Sequence, residues 1–355
     1  MTVTIGDRVV GQGHPTYIVA ELSANHRQSF DEAATLVRLS AESGADAVKL
    51  QTYTADSMTI SADSPWLTVP KGTLWAGRRL HDLYEEAHTP WEWQPRLREI
   101  ALELGLDLFS SAFDSASIAF LERMEVPAYK VASFEIVDHG LIAEMAATGK
   151  PLIISTGMAT LDEISEAVAV ARAHGSGELV LLKCTSAYPA PESEMNLSAI
   201  PRLKIEFGVD VGLSDHTLGT GCAATAVALG AVMIEKHLTR DRGEGGPDSG
   251  FSLEPHEFKA MVEAVRATEL SLGEPNLGPG DHELSSLAFR RSIFAVADIR
   301  AGEELTTTNV RVIRPGYGLA PKFLPEVLGR VARSDIARGT PISWDLISES
   351  GVSGS

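Results

Sequence analysis

Gly-Leu-Ser-Asp-His-Thr at residues 212–217 and Ile-Glu-Lys-His-Leu-Thr at 234–239 each end a short apolar run on a histidine, His216 and His237. The runs themselves are Val-Asp-Val-Gly-Leu-Ser-Asp (209–215) and Val-Met-Ile-Glu-Lys-His (232–237). Runs of that length bounded by polar residues read as buried strands. The same theme, a short apolar run with a polar residue at its exit, occurs six more times upstream. Those runs are Tyr-Ile-Val-Ala-Glu (17–21), Ala-Val-Lys-Leu-Gln (47–51), Leu-Asp-Leu-Phe-Ser-Ser (106–111), Ala-Tyr-Lys-Val-Ala-Ser (128–133), Leu-Ile-Ile-Ser (152–155) and Leu-Val-Leu-Leu-Lys-Cys-Thr (179–185). Between them lie amphipathic stretches such as 30–44, whose apolar residues recur at helical spacing and whose terminal Gly44 suits a left-handed helix stop. Eight alternations predict an α/β protein built on a (β/α)8 TIM barrel, which places its chemistry at the C-terminal ends of the strands. A doubly wound open sheet also alternates strand and helix. The count of eight, and the lack of a glycine-rich dinucleotide fingerprint after the first run, weigh against it.

The chain has 355 residues, 44% of them apolar, and a net charge of −18. Such acidity argues against a nucleic-acid or anionic-membrane surface, since those partners are held by clustered Lys and Arg. Two cysteines, Cys184 and Cys222, cannot build a disulfide framework, and the N-terminal residues lack the apolar core of a signal peptide. A reduced cytoplasmic setting is expected. No apolar run approaches the ~20 residues of a membrane span.

Residues 273–286 are rich in Gly and Pro and read as a connector. Beyond them Asp-Ile-x-x-Gly occurs twice, at 298–302 and 335–339, which predicts a compact module with two similar halves. The expected organisation is a catalytic barrel over 1–280, a linker over 281–290 and a small module over 291–350.

His216 and His237 close neighbouring strands, so their imidazoles can converge on one divalent ion. Cys184 and Cys222 are read as small buried residues and not as ligands. Lys49 and Lys130 interrupt otherwise apolar strands, where an ammonium is costly unless paired. Hydroxyls gather at the strand ends, namely Ser110, Ser111, Ser133, Ser155, Ser186 and Ser214. With the two lysines they make a cradle for phosphate or carboxylate. Glu21, Glu135 and Glu235 stand at strand ends and Asp248 in the loop 245–252. Glu235 is expected to pair with a lysine, the others to be candidates for acid–base work. The segment 53–89, with Trp66 and Trp75, is long enough for a lid. Taken alone, these residues fit a metal-dependent aldolase, a phosphosugar isomerase or a condensing enzyme with a phosphorylated donor. A barrel that binds sugar without chemistry is the remaining class.

Several stretches carry a resemblance: Ala-Glu-Leu-Ser-Ala-Asn-His (20–26), Val-Lys-Leu-Gln-Thr (48–52), Tyr-Lys-Val-Ala-Ser-Phe-Glu (129–135), Ile-Ser-Thr-Gly-Met (154–158), Gly-Leu-Ser-Asp-His-Thr and Glu-Lys-His. Together they resemble the sialic acid synthase family over nearly the whole chain, and the C-terminal module is similar to that family's antifreeze-like (SAF) domain. Thr-Pro-Trp-Glu-Trp (89–93), Lys-Cys-Thr-Ser-Ala-Tyr-Pro-Ala-Pro (183–191), Gly-Pro-Asp-Ser-Gly-Phe-Ser-Leu-Glu-Pro (246–255) and Arg-Pro-Gly-Tyr-Gly-Leu (314–319) look more like its pseudaminic acid synthase branch than its N-acetylneuraminate branch. Ala320 and Phe323 depart from that pattern, which has His and Tyr there.

The resemblance implies condensation of phosphoenolpyruvate with an N-acylated amino sugar, 2,4-diacetamido-2,4,6-trideoxy-L-altrose in that branch. N-acetylneuraminate and legionaminic acid synthases run the same chemistry on other sugars. It also implies that Lys49, Ser111, Lys130, Ser133, Ser155, Ser186 and Ser214 hold phosphoenolpyruvate. His216 and His237 would bind Mn2+, with Mg2+ or Co2+ as alternatives. Glu21, Glu135, Lys49 and Asp248 would serve catalysis, and Asn25, Gln51, Tyr188 and Asp248 would orient the sugar. Arg314 would contact the sugar's N-acyl group from the partner subunit of a homodimer.

Overall fold

The computed structural model describes residues 2–348, so the last two positions assigned to the C-terminal module, 349 and 350, lie outside the described residues. The chain divides into two compact units, Met1–Gly273 and Glu274–Ser355.

The first unit opens with an antiparallel hairpin, β1 (Thr2–Ile5) and β2 (Arg8–Gly11), which the apolar runs did not reveal. Eight parallel strands follow and close on themselves: β3 (Tyr17–Glu21), β4 (Ala47–Thr52), β5 (Asp107–Ala112), β6 (Tyr129–Val131), β7 (Leu152–Ser155), β8 (Leu179–Cys184), β9 (Asp210–Asp215) and β10 (Met233–His237). β10 pairs with both β9 and β3, which completes the ring. The expected barrel is therefore present, with strand ends within two residues of those read from the sequence. Each strand is followed by an outer helix, the first spanning Phe30–Glu42 and the last Pro255–Leu272. The starts are chemically marked. Ser29 accepts a hydrogen bond from the amide of Glu32, and Thr160 and Glu163 form a capping box.

Side chains alternate across each strand, so one face packs on the helices and the other fills the barrel. Ile18, Ala20, Val48, Leu50, Ile154, Leu181 and Leu213 belong to the outer core against the helices. Val19, Ala47, Phe109, Ala128, Ile153, Val180, Leu182 and Met233 fill the interior. Val3, Ile5 and Val10 of the hairpin join that interior cluster and plug the N-terminal end. Space there is tight. A Cβ on Gly212 would lie 2.5 Å from the Met233 carbonyl oxygen and 2.7 Å from Leu182 Cδ2.

In the second unit β11 (Ser292–Ala295) pairs antiparallel with β12 (Val310–Ile313). The two Asp-Ile-x-x-Gly repeats bond to each other reciprocally: Ile299 and Ile336 exchange backbone hydrogen bonds at 2.9 and 2.8 Å. Asp298 accepts from the amide of Arg338 and Asp335 from that of Ala301. The unit has its own core of Ile293, Leu305, Val310, Val327, Ile342 and Ile347. Phe323, one of the two departures noted above, packs on Trp344 at 5.5 Å between ring centroids. Among the described residues no helix is long and apolar enough to cross a membrane.

Candidate active site

A cavity of about 470 Å³ opens at the C-terminal end of the barrel, within the size range of small-molecule sites. Strand register decides what meets there. Glu21 is opposite Lys49, Gln51 opposite Ser111, Ser111 opposite Lys130, and Cys184 and Glu235 flank Ser214. Because Lys49 and Gln51 are two apart on β4, as are Ser214 and His216 on and just past β9, each pair shares the inward face.

The lysines are the charged floor. Lys49 Nζ lies 2.7 Å from Glu21 Oε2 and 3.5 Å from Glu235 Oε1, and donates to Ser111 Oγ at 3.3 Å. Burial pulls the Lys49 ammonium down, but the two carboxylates outweigh it and hold it above the ordinary lysine value. Lys130 donates to Ser155 Oγ at 2.6 Å and to the Val131 carbonyl at 2.9 Å. Its burial is not offset by a carboxylate in direct contact, and the ammonium is pulled down. An anion placed between these two lysines would relieve that cost. Ser133 Oγ and Ser186 Oγ are 2.8 Å apart. Gly157 presses its backbone against them in the left-handed region, φ +48°; a Cβ there would meet Ser133 Cβ at 2.5 Å and Ser186 Oγ at 2.8 Å.

Glu135 is on the cavity wall, with Oε2 buried and without a hydrogen-bond partner among the described residues. Burial pushes its carboxyl up to about 7, against the counteracting charge of Lys130. Asp248 hydrogen-bonds Ser23 Oγ, and burial raises its carboxyl too.

The two histidine rings are 5.4 Å apart between centroids. His216 Nδ1 is 2.9 Å from the Thr185 carbonyl oxygen, a contact that fixes the orientation of the ring. His237 Nδ1 is buried and has no partner among the described residues. Burial keeps His237 well below the usual imidazole range, in the neutral form that a ligand needs. His216 also touches Cys184: burial lifts that thiol, but the hydrogen bond and charge of His216, together with Ser186 and Lys130, outweigh it and leave it at about 7. No group of three or more His, Cys, Asp or Glu is arranged for a metal among the described residues. The orphaned nitrogen of His237 beside the His216 ring makes these two imidazoles the residues that would hold a divalent ion.

The structure sorts the sequence-derived candidates. Lys49, Gln51, Lys130, Ser133, Glu135, Ser155, Tyr188, Ser214, His216, His237 and Asp248 line the cavity. Four do not. Glu21 is fully buried behind Lys49, its other oxygen taking a 3.0 Å bond from Gln51. Ser111 is buried beneath the same ammonium. Ser186 backs Ser133. Asn25 spends both amide hydrogens on the Leu238 carbonyl and Ser252 Oγ, at 2.9 and 2.8 Å, tying two loops together. Arg314 is in the second unit, exposed and just after β12. Glu235, expected to pair with a lysine, does so with Lys49 and also accepts from Ser214 at 3.2 Å. Of the two lid tryptophans, Trp66 is 90% exposed, whereas Trp75 lines the cavity. Sequence reasoning missed Phe251, whose ring is 4.8 Å from His237 and 4.9 Å from Tyr188. It also missed Gly157, Tyr53, Tyr84 and Phe113; a glycine after a strand-end Ser-Thr pair was the one available signal.

Comparison with known proteins agrees with this geometry. Residues 36–276 match the NeuB family and residues 290–348 the SAF domain. A pseudaminic acid synthase of Helicobacter pylori is 45% identical over 339 residues, covering 95% of this chain and 99% of that protein. One of Campylobacter jejuni is 45% identical over 323 residues, covering 91% and 94%. The crystal structure of spore coat polysaccharide biosynthesis protein SpsE from Bacillus subtilis superposes with a TM-score of 0.67 at 33% identity, over 99% of this chain and all of that one. The chain belongs to the NeuB family and carries a C-terminal SAF domain.

Proposed function

We propose that the protein is a pseudaminic acid synthase, which condenses phosphoenolpyruvate with open-chain 2,4-diacetamido-2,4,6-trideoxy-L-altrose and water to give pseudaminic acid and phosphate. The observation that carries this reading is the floor of the cavity, where two buried lysines and a row of hydroxyls await an anion beside an unpaired buried carboxyl. The 45% identity to two pseudaminic acid synthases supports the choice of sugar.

In this reading Lys49 and Lys130, with Ser133, Ser155 and Ser214, hold the phosphate and carboxylate of phosphoenolpyruvate. Glu21 and Ser111 fix the Lys49 ammonium from behind. C3 of phosphoenolpyruvate forms the new bond to the aldehyde carbon, and the aldehyde oxygen takes up a proton. The positive charge left at C2 lies near Glu135 and Glu235. Water adds to C2 and loses a proton, and the bond from C2 to the phosphate oxygen breaks with phosphate as leaving group. Glu135, with its carboxyl at about 7, is the group placed to carry a proton between the water and the nascent alkoxide. Gln51, Tyr188 and Asp248 orient the sugar. His216 and His237 would hold a divalent ion, Mn2+ first with Mg2+ or Co2+ as alternatives, and such an ion supplies Lewis acidity toward the acceptor aldehyde.

The reading includes a homodimer whose C-terminal module brings Arg314 to the partner's active site, and a cytoplasmic location. Cys184 and Cys222 are both free thiols, in keeping with a reducing compartment. The test is phosphate release from phosphoenolpyruvate with Mn2+ and one of three sugars: the 6-deoxy L-altro diacetamido sugar, N-acetylmannosamine or the D-manno diacetamido sugar. Release with the first alone is expected. Release only with one of the others overturns the acceptor and keeps the chemistry.

A further inference from the structure

The two ends of the cavity differ in chemistry. The floor is charged, as described above. The outer wall comes from the long segment between β4 and the helix at Gln94–Glu103, which contributes Met58, Val69, Pro70, Trp75, Leu80 and Leu83. Polar groups on that side are few: the Thr73 hydroxyl and the phenols of Tyr53 and Tyr84. Tyr53 is itself packed edge-on against Tyr84 and Phe113, at 5.7 and 5.3 Å between centroids.

This wall is built, not draped. Val69 N donates to the Arg78 carbonyl at 2.8 Å and Gly77 N to the Val69 carbonyl at 3.0 Å, closing the segment into a small loop. Trp75 Nε1 donates to the Pro247 carbonyl at 2.7 Å, next to Asp248, and its ring lies 5.6 Å from that of Tyr188. The apolar surface is thereby fixed to the residues assigned to the sugar. Val69 and Leu83 are each only 7% exposed. A hydroxyl pressed against the side chains of Met58, Val69, Leu80 and Leu83 loses its water and finds no partner among them, whereas a methyl gains from the same burial.

We propose that this wall receives the 6-methyl end of the acceptor and is what selects a 6-deoxy sugar over its 6-hydroxy counterpart. The proposal rests on the acceptor reading given under Proposed function and adds the residues that enforce it. Substrate selectivity is set here by Met58 and Leu80, which are only partly buried, on a base formed by Val69 and Leu83.

The test uses two acceptors that differ only at C6, 2,4-diacetamido-2,4,6-trideoxy-L-altrose and 2,4-diacetamido-2,4-dideoxy-L-altrose, with the full chain and Mn2+. A hydrophobic pocket discriminates against an added hydroxyl by roughly 10- to 100-fold in kcat/KM, and the parent is expected to prefer the deoxy sugar within that range. Met58→Gln and Leu80→Asn, made separately, should each pull the ratio toward one while leaving the KM for phosphoenolpyruvate unchanged. An unchanged ratio in both variants, or a parent that accepts both sugars equally, overturns the proposal. A parent that turns over neither L-altro sugar but uses another overturns the acceptor reading itself, and the wall assignment with it.

Discussion

Replacing Glu135 by Gln separates the cost of a buried carboxylate from its use. Burial raises the Glu135 carboxyl from 4.5 to about 7, and a shift of that size corresponds to about 3 kcal/mol of penalty on the charged form. The sign follows from linkage. A carboxyl whose folded value exceeds its unfolded value contributes stability that is complete below pH ~4.5 and is lost as pH rises through ~7. Gln cannot ionise and loses nothing over that window. Glu135→Gln should therefore be more stable than the parent by about 1 kcal/mol or less at pH 5 and by up to about 3 kcal/mol at pH 8.5. Urea unfolding of both proteins at the two pH values measures the difference directly. Phosphate release gives the other half: the parent's rate should show a limb near pH 7 that the variant lacks, together with a large fall in kcat. A stability difference that is the same at pH 5 and 8.5, or a variant with near-normal turnover, would refute the assignment.

Three further outcomes are expected. Lys130→Met should raise the KM for phosphoenolpyruvate by roughly 10- to 100-fold, the worth of a charge-assisted hydrogen bond, and an effect confined to the sugar KM would remove Lys130 from the anion cradle. Gly157→Ala forces a Cβ to within 2.5 Å of Ser133 Cβ at a φ of +48°, so phosphoenolpyruvate binding should weaken in steady-state kinetics while the outer helices keep their circular dichroism. Chelation should abolish phosphate release and Mn2+ restore it, with His237→Gln lowering Mn2+ affinity in titration calorimetry; undiminished Mn2+ binding by that variant would point to other ligands.

The barrel was legible because each strand is a short apolar run and each exit is polar, a pattern that a closed parallel sheet imposes on its interior and its active face alike. The hairpin of β1 and β2 was not, since two four-residue strands carry too little alternation to stand out. Lys49 and Lys130 could be found as charges in apolar runs, and the histidines as a pair on neighbouring strands. Depth could not be read. Glu21 ends its strand as Glu135 follows its own, yet Glu21 is sealed behind Lys49 while Glu135 faces the cavity, because Lys49 and Gln51, both on β4, take up the first carboxylate. Nor did the sequence show that the Asn25 amide bonds the Leu238 carbonyl and Ser252 Oγ across two loops. Trp75 and Phe251 reach the site from loops, where sequence periodicity says nothing about direction.

The hairpin that plugs the N-terminal end of the barrel has a kinetic corollary. With Val3, Ile5 and Val10 packed into the interior, the N-terminal end of the barrel is closed among the described residues, and the lysine floor is approached from the loop end. Under the proposed function the lysine floor lies beneath the apolar wall, so the small anion phosphoenolpyruvate is expected to enter ahead of the sugar. By the same route phosphate is expected to leave after the nine-carbon acid, an order that product-inhibition kinetics would show.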